Sequence, residues 1–250
     1  MSAPKDNPLT IAAIAIVAMC MTTAAHEAVG HGGACIAAGG RVAQLTSVFF
    51  QCRPSSWLIA AAGPAGNLIG GLLAAGIAGN LRGTLRLLFT LTALFSLLWE
   101  AGYMLYAAVF NDGDYFFALR GIFGDATPLM RAILGALGAA LYFISLNLGR
   151  TLLQPFATES VRTREMLRTA WLAATIAALA ATLLYAPDRM GAFKQALLEI
   201  GAASAPLMLL RREYRGGGDA PATGLIVLWI AAAAAIYAGF ALTLGRGISA

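Results

Sequence analysis

Residues 9–38 read "LTIAAIAIVAMCMTTAAHEAVGHGGACIAA". A helix crosses the hydrocarbon core of a bilayer with roughly 20 consecutive apolar residues, and Leu9 to Ala25 carry no charge. His26, Glu27 and His31 then follow within the same run, and these are the chain's only two histidines. An ionisable group in hydrocarbon costs at least a few kcal/mol, so such a cluster marks a functional site by default. The apolar stretch leads straight into the cluster, so it is expected to be a permanent span and not a cleaved signal peptide.

The rest of the composition agrees. The 250 residues are 59% hydrophobic and only 12% charged, whereas soluble domains carry about a quarter charged residues. This balance predicts an integral membrane protein. The net charge of +5 comes from basic residues scattered between apolar segments. That pattern suits lipid head groups and membrane topology, and no nucleic-acid partner is expected. Cys20, Cys35 and Cys52 are odd in number and form no Cys-x-x-Cys pair. They predict no disulfide framework, with Cys20 and Cys35 behaving as small buried hydrophobes.

Further spans are expected at Trp57 to Gly79, Leu85 to Phe110, Leu129 to Leu153, Met166 to Tyr185 and Leu225 to Leu244. Ala192 to Leu210 is less apolar at its start and makes the count six or seven. Between the first two spans lies "AGGRVAQLTSVFFQCRPSS" (38–56). Its β-branched and aromatic part, "VAQLTSVFF", reads as a short strand or re-entrant segment. "RREYRGGGDAPATG" (211–224) is a polar linker. The expected fold is an all-α, polytopic transmembrane helix bundle. Residues 1–120 form a three-helix core carrying the site, and helices in 121–250 pack around it. In an up-down-up arrangement the end of the first span, "GPAGN" at the start of the second and "NDGDY" (111–115) at the end of the third share one membrane side.

His–Glu–His on a helix is the arrangement of a zinc hydrolase: the histidines ligate the metal and the glutamate handles the proton of the attacking water. The usual spacing is His–Glu–x–x–His, which puts both imidazoles on one face. Here the histidines are five apart, which on a regular α-helix turns the second about 140° away from the first. A one-residue π-bulge near Gly30 brings them together; the alternative is a helix that ends there. Zinc needs a third protein ligand. Asp112 and Asp114 lie at the matching depth, and each also reads as an Asx turn that ends the span. Glu100 lies about three turns earlier, roughly 18 Å along the axis, and is expected to be out of reach, a buried acid hydrogen-bonded or facing a pore. Gly63 and Gly66 permit close approach to the first span. Asn67 either donates to the oxyanion or substrate backbone, or makes an interhelical hydrogen bond.

Three stretches, "HEAVGHGGACIAAGGRV", "AAAGPAGNLIGG" and "NDGDY", cover roughly residues 10–120 and resemble the site-2 protease family of intramembrane zinc metalloproteases. The resemblance implies a Zn2+ cofactor, His26 and His31 as ligands, Glu27 as catalytic base, and Asp112 or Asp114 as third ligand. It also implies a membrane-embedded or membrane-proximal protein or peptide substrate. The chain departs from the family in the extra residue of HEAVGH, in lacking an Asn-Pro before Asp-Gly, and in lacking regulatory soluble domains. A rival reading has the same polar groups lining an ion path in a metal transporter or sensor.

The expected location is a bacterial inner membrane, with no oligomeric state readable. If the N-terminus is cytoplasmic and there are seven spans, ten of the 17 basic residues are cytoplasmic (Lys5, Arg82, Arg86, Arg150, Arg162, Arg164, Arg168, Arg211, Arg212, Arg215) and seven are not. This positive-inside balance puts the site on the outer side. The family resemblance implies a site facing the cytoplasm.

Overall fold

The computed structural model describes residues 6–156, 160–210 and 223–249. It is a helical bundle with a small sheet at one end. The first helix, α1 (Pro8–Ala24), starts at Asn7, whose side chain caps the backbone N–H groups of Leu9 and Thr10. It passes without a break through a π-helical segment, Ala25–Gly32, into α2 (Gly33–Ala37). Two strands follow, β1 (Arg41–Leu45) and β2 (Phe50–Arg53), and then α3 (Trp57–Asn80), capped by Ser56. Next come α4 (Gly83–Phe110), the short α5 (Asp114–Phe123) and α6 (Pro128–Leu153), the last capped by Thr127. The remaining elements are α7 (Ser160–Thr182), α8 (Arg189–Ala196), α9 (Val227–Phe240) and β3 (Ile248–Ser249).

Among the described residues, five helices are long and apolar enough to cross a membrane: Pro8–Ala37, Trp57–Asn80, Gly83–Phe110, Pro128–Phe156 and Val227–Gly245. Each falls on an expected span. The expected spans at 166–185 and 192–210 fall on α7 and on a broken segment. α7 begins with a polar turn, and α8 runs on into a π-helical stretch (Leu197–Ala202) and a 3₁₀ stretch (Ala205–Leu209). The predicted linker lies outside the described residues except for Thr223 and Gly224. α4 is the central helix, with Leu87, Leu91, Leu94, Phe95, Leu98 and Trp99 fully buried against α1 and its neighbours. Outward faces show Leu72, Leu73, Phe143, Ile144 and Leu228, an apolar exterior suited to lipid.

The sheet modifies the all-α expectation. β1 pairs antiparallel with β2 on one side and β3 on the other, in the order β2-β1-β3. The segment "VAQLTSVFF", expected as a short strand or re-entrant segment, is part of a hairpin. The Thr46 hydroxyl accepts from the backbone N–H of Val48 and Phe49 and turns the chain between β1 and β2. Folding back brings Cys52 onto Cys35, and the two form a disulfide with Cα atoms 5.9 Å apart. This corrects the expectation of no disulfide and of Cys35 as a small buried hydrophobe; Cys20 is free and buried, as expected. The pairing depends on the hairpin, which a spacing of 17 residues does not reveal.

The two ends of the bundle are tied separately. At one end Arg162 forms a bidentate pair with Asp6 (2.8 and 2.9 Å), and Asn7 N donates to the Thr223 carbonyl. At the other, Ser47 N donates to the Leu244 carbonyl and the Gln44 amide donates to the Tyr185 hydroxyl. The polar cluster opens toward this second end.

Candidate metal centre

His26, Glu27 and His31 all lie in the π-helical segment, and all are at most 3% exposed. In a π-helix the hydrogen-bonded neighbour is i+5. Residues 26 and 31 therefore stack one turn apart, as i and i+4 do in an α-helix. The five-residue spacing is read correctly only with this local winding. The imidazole centroids are 4.9 Å apart.

Glycines permit the fit. A Cβ on Gly30 would lie 2.5 Å from the Ala62 carbonyl oxygen, and one on Gly66 would lie 2.5 Å from that of Ala25. A Cβ on Gly63 would collide with the His31 ring. The backbones of α3 and the π-helical segment are thus in direct contact, as "AAGPAGN" predicts. Inside α3, Pro64 lacks an N–H for the Ala60 carbonyl. One residue earlier, the Ile59 carbonyl accepts from His31 Nδ1 at 2.7 Å.

The third ligand arrives by a chain reversal. Asn111 ends α4 with a φ of 57°, a left-handed conformation that Asn tolerates, and Gly113 follows with 85°. These two residues start α5 back against the bundle, with Asp114 at its first position. Asp114 Oδ2 lies 3.1 Å from His26 Nε2 and 3.1 Å from His31 Nε2. Asp112 is not part of the cluster. It is exposed, accepting from the Tyr106 hydroxyl (3.0 Å) and from Gly113 N.

Glu100 corrects the depth estimate. It is fully buried and reaches the site, with Oε1 3.1 Å from His26 Nδ1. The same oxygen accepts from the Asn67 amide at 2.9 Å, and Oε2 accepts from the Tyr115 hydroxyl at 2.9 Å. Counting turns back from Asp112 overstated the distance, because α4 passes His26 at Glu100 while Asp114 folds back to the same level. The Asn67 amide donor is therefore taken by Glu100, behind the histidines. Trp99 stacks on His26 (centroids 4.7 Å, 10° between planes) and Phe50 on His31 (5.2 Å, 12°).

One ligand atom from each of His26, His31 and Asp114 falls within 4.8 Å of the others. Bonds of about 2.0–2.2 Å around a tetrahedral zinc ion put its ligand atoms roughly 3.3 Å apart, close to the 3.1 Å from Asp114 Oδ2 to each Nε2. The donor chemistry fits as well. His31 Nδ1 donates to a carbonyl, so in the neutral ring Nε2 carries a lone pair. That lone pair faces a carboxylate oxygen, an arrangement that a cation between them stabilises. Each histidine also has the second partner that oriented metal ligands use, Glu100 for one and a backbone carbonyl for the other. The geometry suits a cation that takes a His₂Asp donor set.

The cluster sits at the side of a cavity of about 870 Å³. Glu27 lines it, and Glu27 Oε2 is buried with no hydrogen-bond partner. So does Glu199, which the sequence reading passed over: it is 5% exposed, and its Oε2 is also unpaired. It is the one acid in the apolar run "ALLEIGAASAPLMLL" (196–210), so the reasoning that marked HEAVGH applies to it too. Comparison with known proteins finds no matching family model, no matching curated protein and no matching solved structure.

Proposed function

We propose that this chain is an intramembrane zinc metalloprotease that hydrolyses peptide bonds of membrane-embedded or membrane-proximal substrates. The observation that carries the reading is the convergence of His26 Nε2 and His31 Nε2 on Asp114 Oδ2, beside an unpaired Glu27 carboxyl oxygen in the same cavity wall. His26, His31 and Asp114 would hold the ion. When bound, zinc supplies Lewis-acid polarisation of the scissile carbonyl and lowers the pKa of the attacking water. Glu27 takes the proton from that water as its oxygen adds to the carbonyl carbon. It then delivers the proton to the amide nitrogen as the C–N bond breaks. Glu100 holds the His26 ring in register, and Asn67 and Tyr115 hold Glu100.

β2 is an edge strand, and Phe50 to Arg53 line the cavity. A substrate segment unwound from its helix can pair with that free edge, which exposes amides that a helix would shield. The deep side of the site is filled by Trp99, Glu100 and Asn67, all fully buried.

With α7 and the segment Arg189–Leu209 counted as crossings, the chain has seven spans. With the N-terminus cytoplasmic, as the charge balance favours, the site faces the extracytoplasmic side. The Cys35–Cys52 disulfide lies at the same end, as an oxidising compartment permits. The function is tested by Glu27→Gln, which keeps the metal and abolishes cleavage of a peptide that the wild type cuts. Full retained activity removes Glu27 from the mechanism.

A further inference from the structure

Beside the main cavity, and sharing Glu199, Gln195 and Tyr103 with it, is a second one of about 290 Å³. This is just under the roughly 300–1,000 Å³ of cavities that enclose a small molecule, and it suits a single side chain. Its walls include Trp99, Tyr103, Tyr106 and Tyr142. At the junction stands Glu199. Its Oε1 accepts from the Gln195 amide at 2.8 Å, and its Oε2 has no partner although the residue is 95% buried by its 5% exposure. A buried carboxyl oxygen without a donor is costly, and a bound group that supplies a donor removes the cost. Charge points the same way: besides Asp114, which the proposed metal ion neutralises, Glu27, Asp112, Asp188 and Glu199 line the main cavity against one guanidinium among the described residues, that of Arg53.

We propose that this aromatic pocket, with Glu199 at its entrance, is a specificity pocket for a basic side chain of the substrate, lysine or arginine. The proposal rests on the hydrolase reading above for the word substrate, though not for the binding itself. The aliphatic stem lies along the aromatic walls and the cationic head meets Glu199, a pairing that aromatic faces reinforce. Glu199 is a specificity residue and takes no part in moving the water's proton.

The test uses the protein in detergent and three peptides with fluorescein on the N-terminal amine, fluorescein-Leu-Lys-Leu-Leu-amide and its norleucine and glutamate counterparts. Affinities are read by fluorescence anisotropy. A charge-assisted hydrogen bond corresponds to about tenfold or more in affinity. The lysine peptide is expected to bind the wild type by about that factor over norleucine, with glutamate weakest. Glu199→Gln is expected to lose the lysine preference and to leave the norleucine affinity unchanged, which also shows that the variant is folded. Equal affinities in the wild type overturn the proposal without recourse to any variant. A lysine preference that survives Glu199→Gln overturns it too. If the preference follows Glu199 but no peptide is cut, the pocket stands and the protease reading falls. If peptides are cut without regard to the basic residue, the protease reading stands and the pocket falls.

Discussion

Glu100 Oε1 lies 3.1 Å from His26 Nδ1, on the opposite edge of the ring from Asp114. The carboxylate, the imidazole and the proposed metal position therefore form one line across three helices. Removing such an outer partner lowers metal affinity about 10–100-fold. Glu100→Ala should do so, and should also leave the Tyr115 hydroxyl without its acceptor and the Asn67 amide with only its 3.3 Å contact to His26 Nδ1. Glu100→Gln keeps an acceptor and should cost less. Competition titration with a zinc chelator measures both.

The contact between α3 and the π-helical segment predicts a graded response to added methyl groups. Gly63→Ala pushes a Cβ into the His31 ring and Gly30→Ala pushes one into the Ala62 carbonyl, whereas a Cβ at Gly33 meets nothing within 4 Å. Overpacking typically costs about 1–3 kcal/mol. Thermal unfolding in detergent should show the first two destabilised and Gly33→Ala close to wild type. Gly63→Ala should in addition lose metal affinity.

Much of this architecture was legible in the chain, for identifiable reasons. Long uncharged runs such as Leu9–Ala25 declare a span without any knowledge of neighbours. The five-residue histidine spacing allows either a π-bulge or a helix that ends near Gly30, and the structure has the π-helix. What was not legible depends on the chain turning. A count of turns along one straight helix puts Glu100 too far off, while Asn111 and Gly113 fold Asp114 back to the depth of His26. Cys35 meets Cys52 only through a hairpin pinned by Thr46. The choice of Asp114 over Asp112 follows from the same reversal.

At the far end of the bundle, Asp6 predicts an acid-sensitive tie. Burial alone would raise its carboxyl, but hydrogen bonds from the Arg162 guanidinium and Thr223 N, with the guanidinium charge, outweigh this and lower it below 3.8. A group depressed on folding contributes stability above its unfolded pKa and loses it as pH falls through the folded value. The unfolding temperature should therefore drop on acidification below about pH 4, and Asp6→Asn should flatten that part of the drop. An identical acid profile in the variant would show that the pair contributes nothing measurable.

Orientation is checked by labelling. Ser55 and Arg82 are both exposed, at the site end and the opposite end respectively. In intact cells a membrane-impermeant maleimide should label Ser55→Cys and leave Arg82→Cys unlabelled until the cells are opened. The reverse pattern puts the site on the cytoplasmic side.

The central claim is that His26, His31 and Asp114 hold one metal ion. Its most direct measurement is zinc content per chain in detergent-purified protein, for wild type, His31→Ala, Asp114→Ala and Asp112→Ala. The expected result is about one zinc in wild type and in Asp112→Ala, and almost none in the other two. No zinc in the wild type, or zinc lost with Asp112 and kept without Asp114, would contradict it.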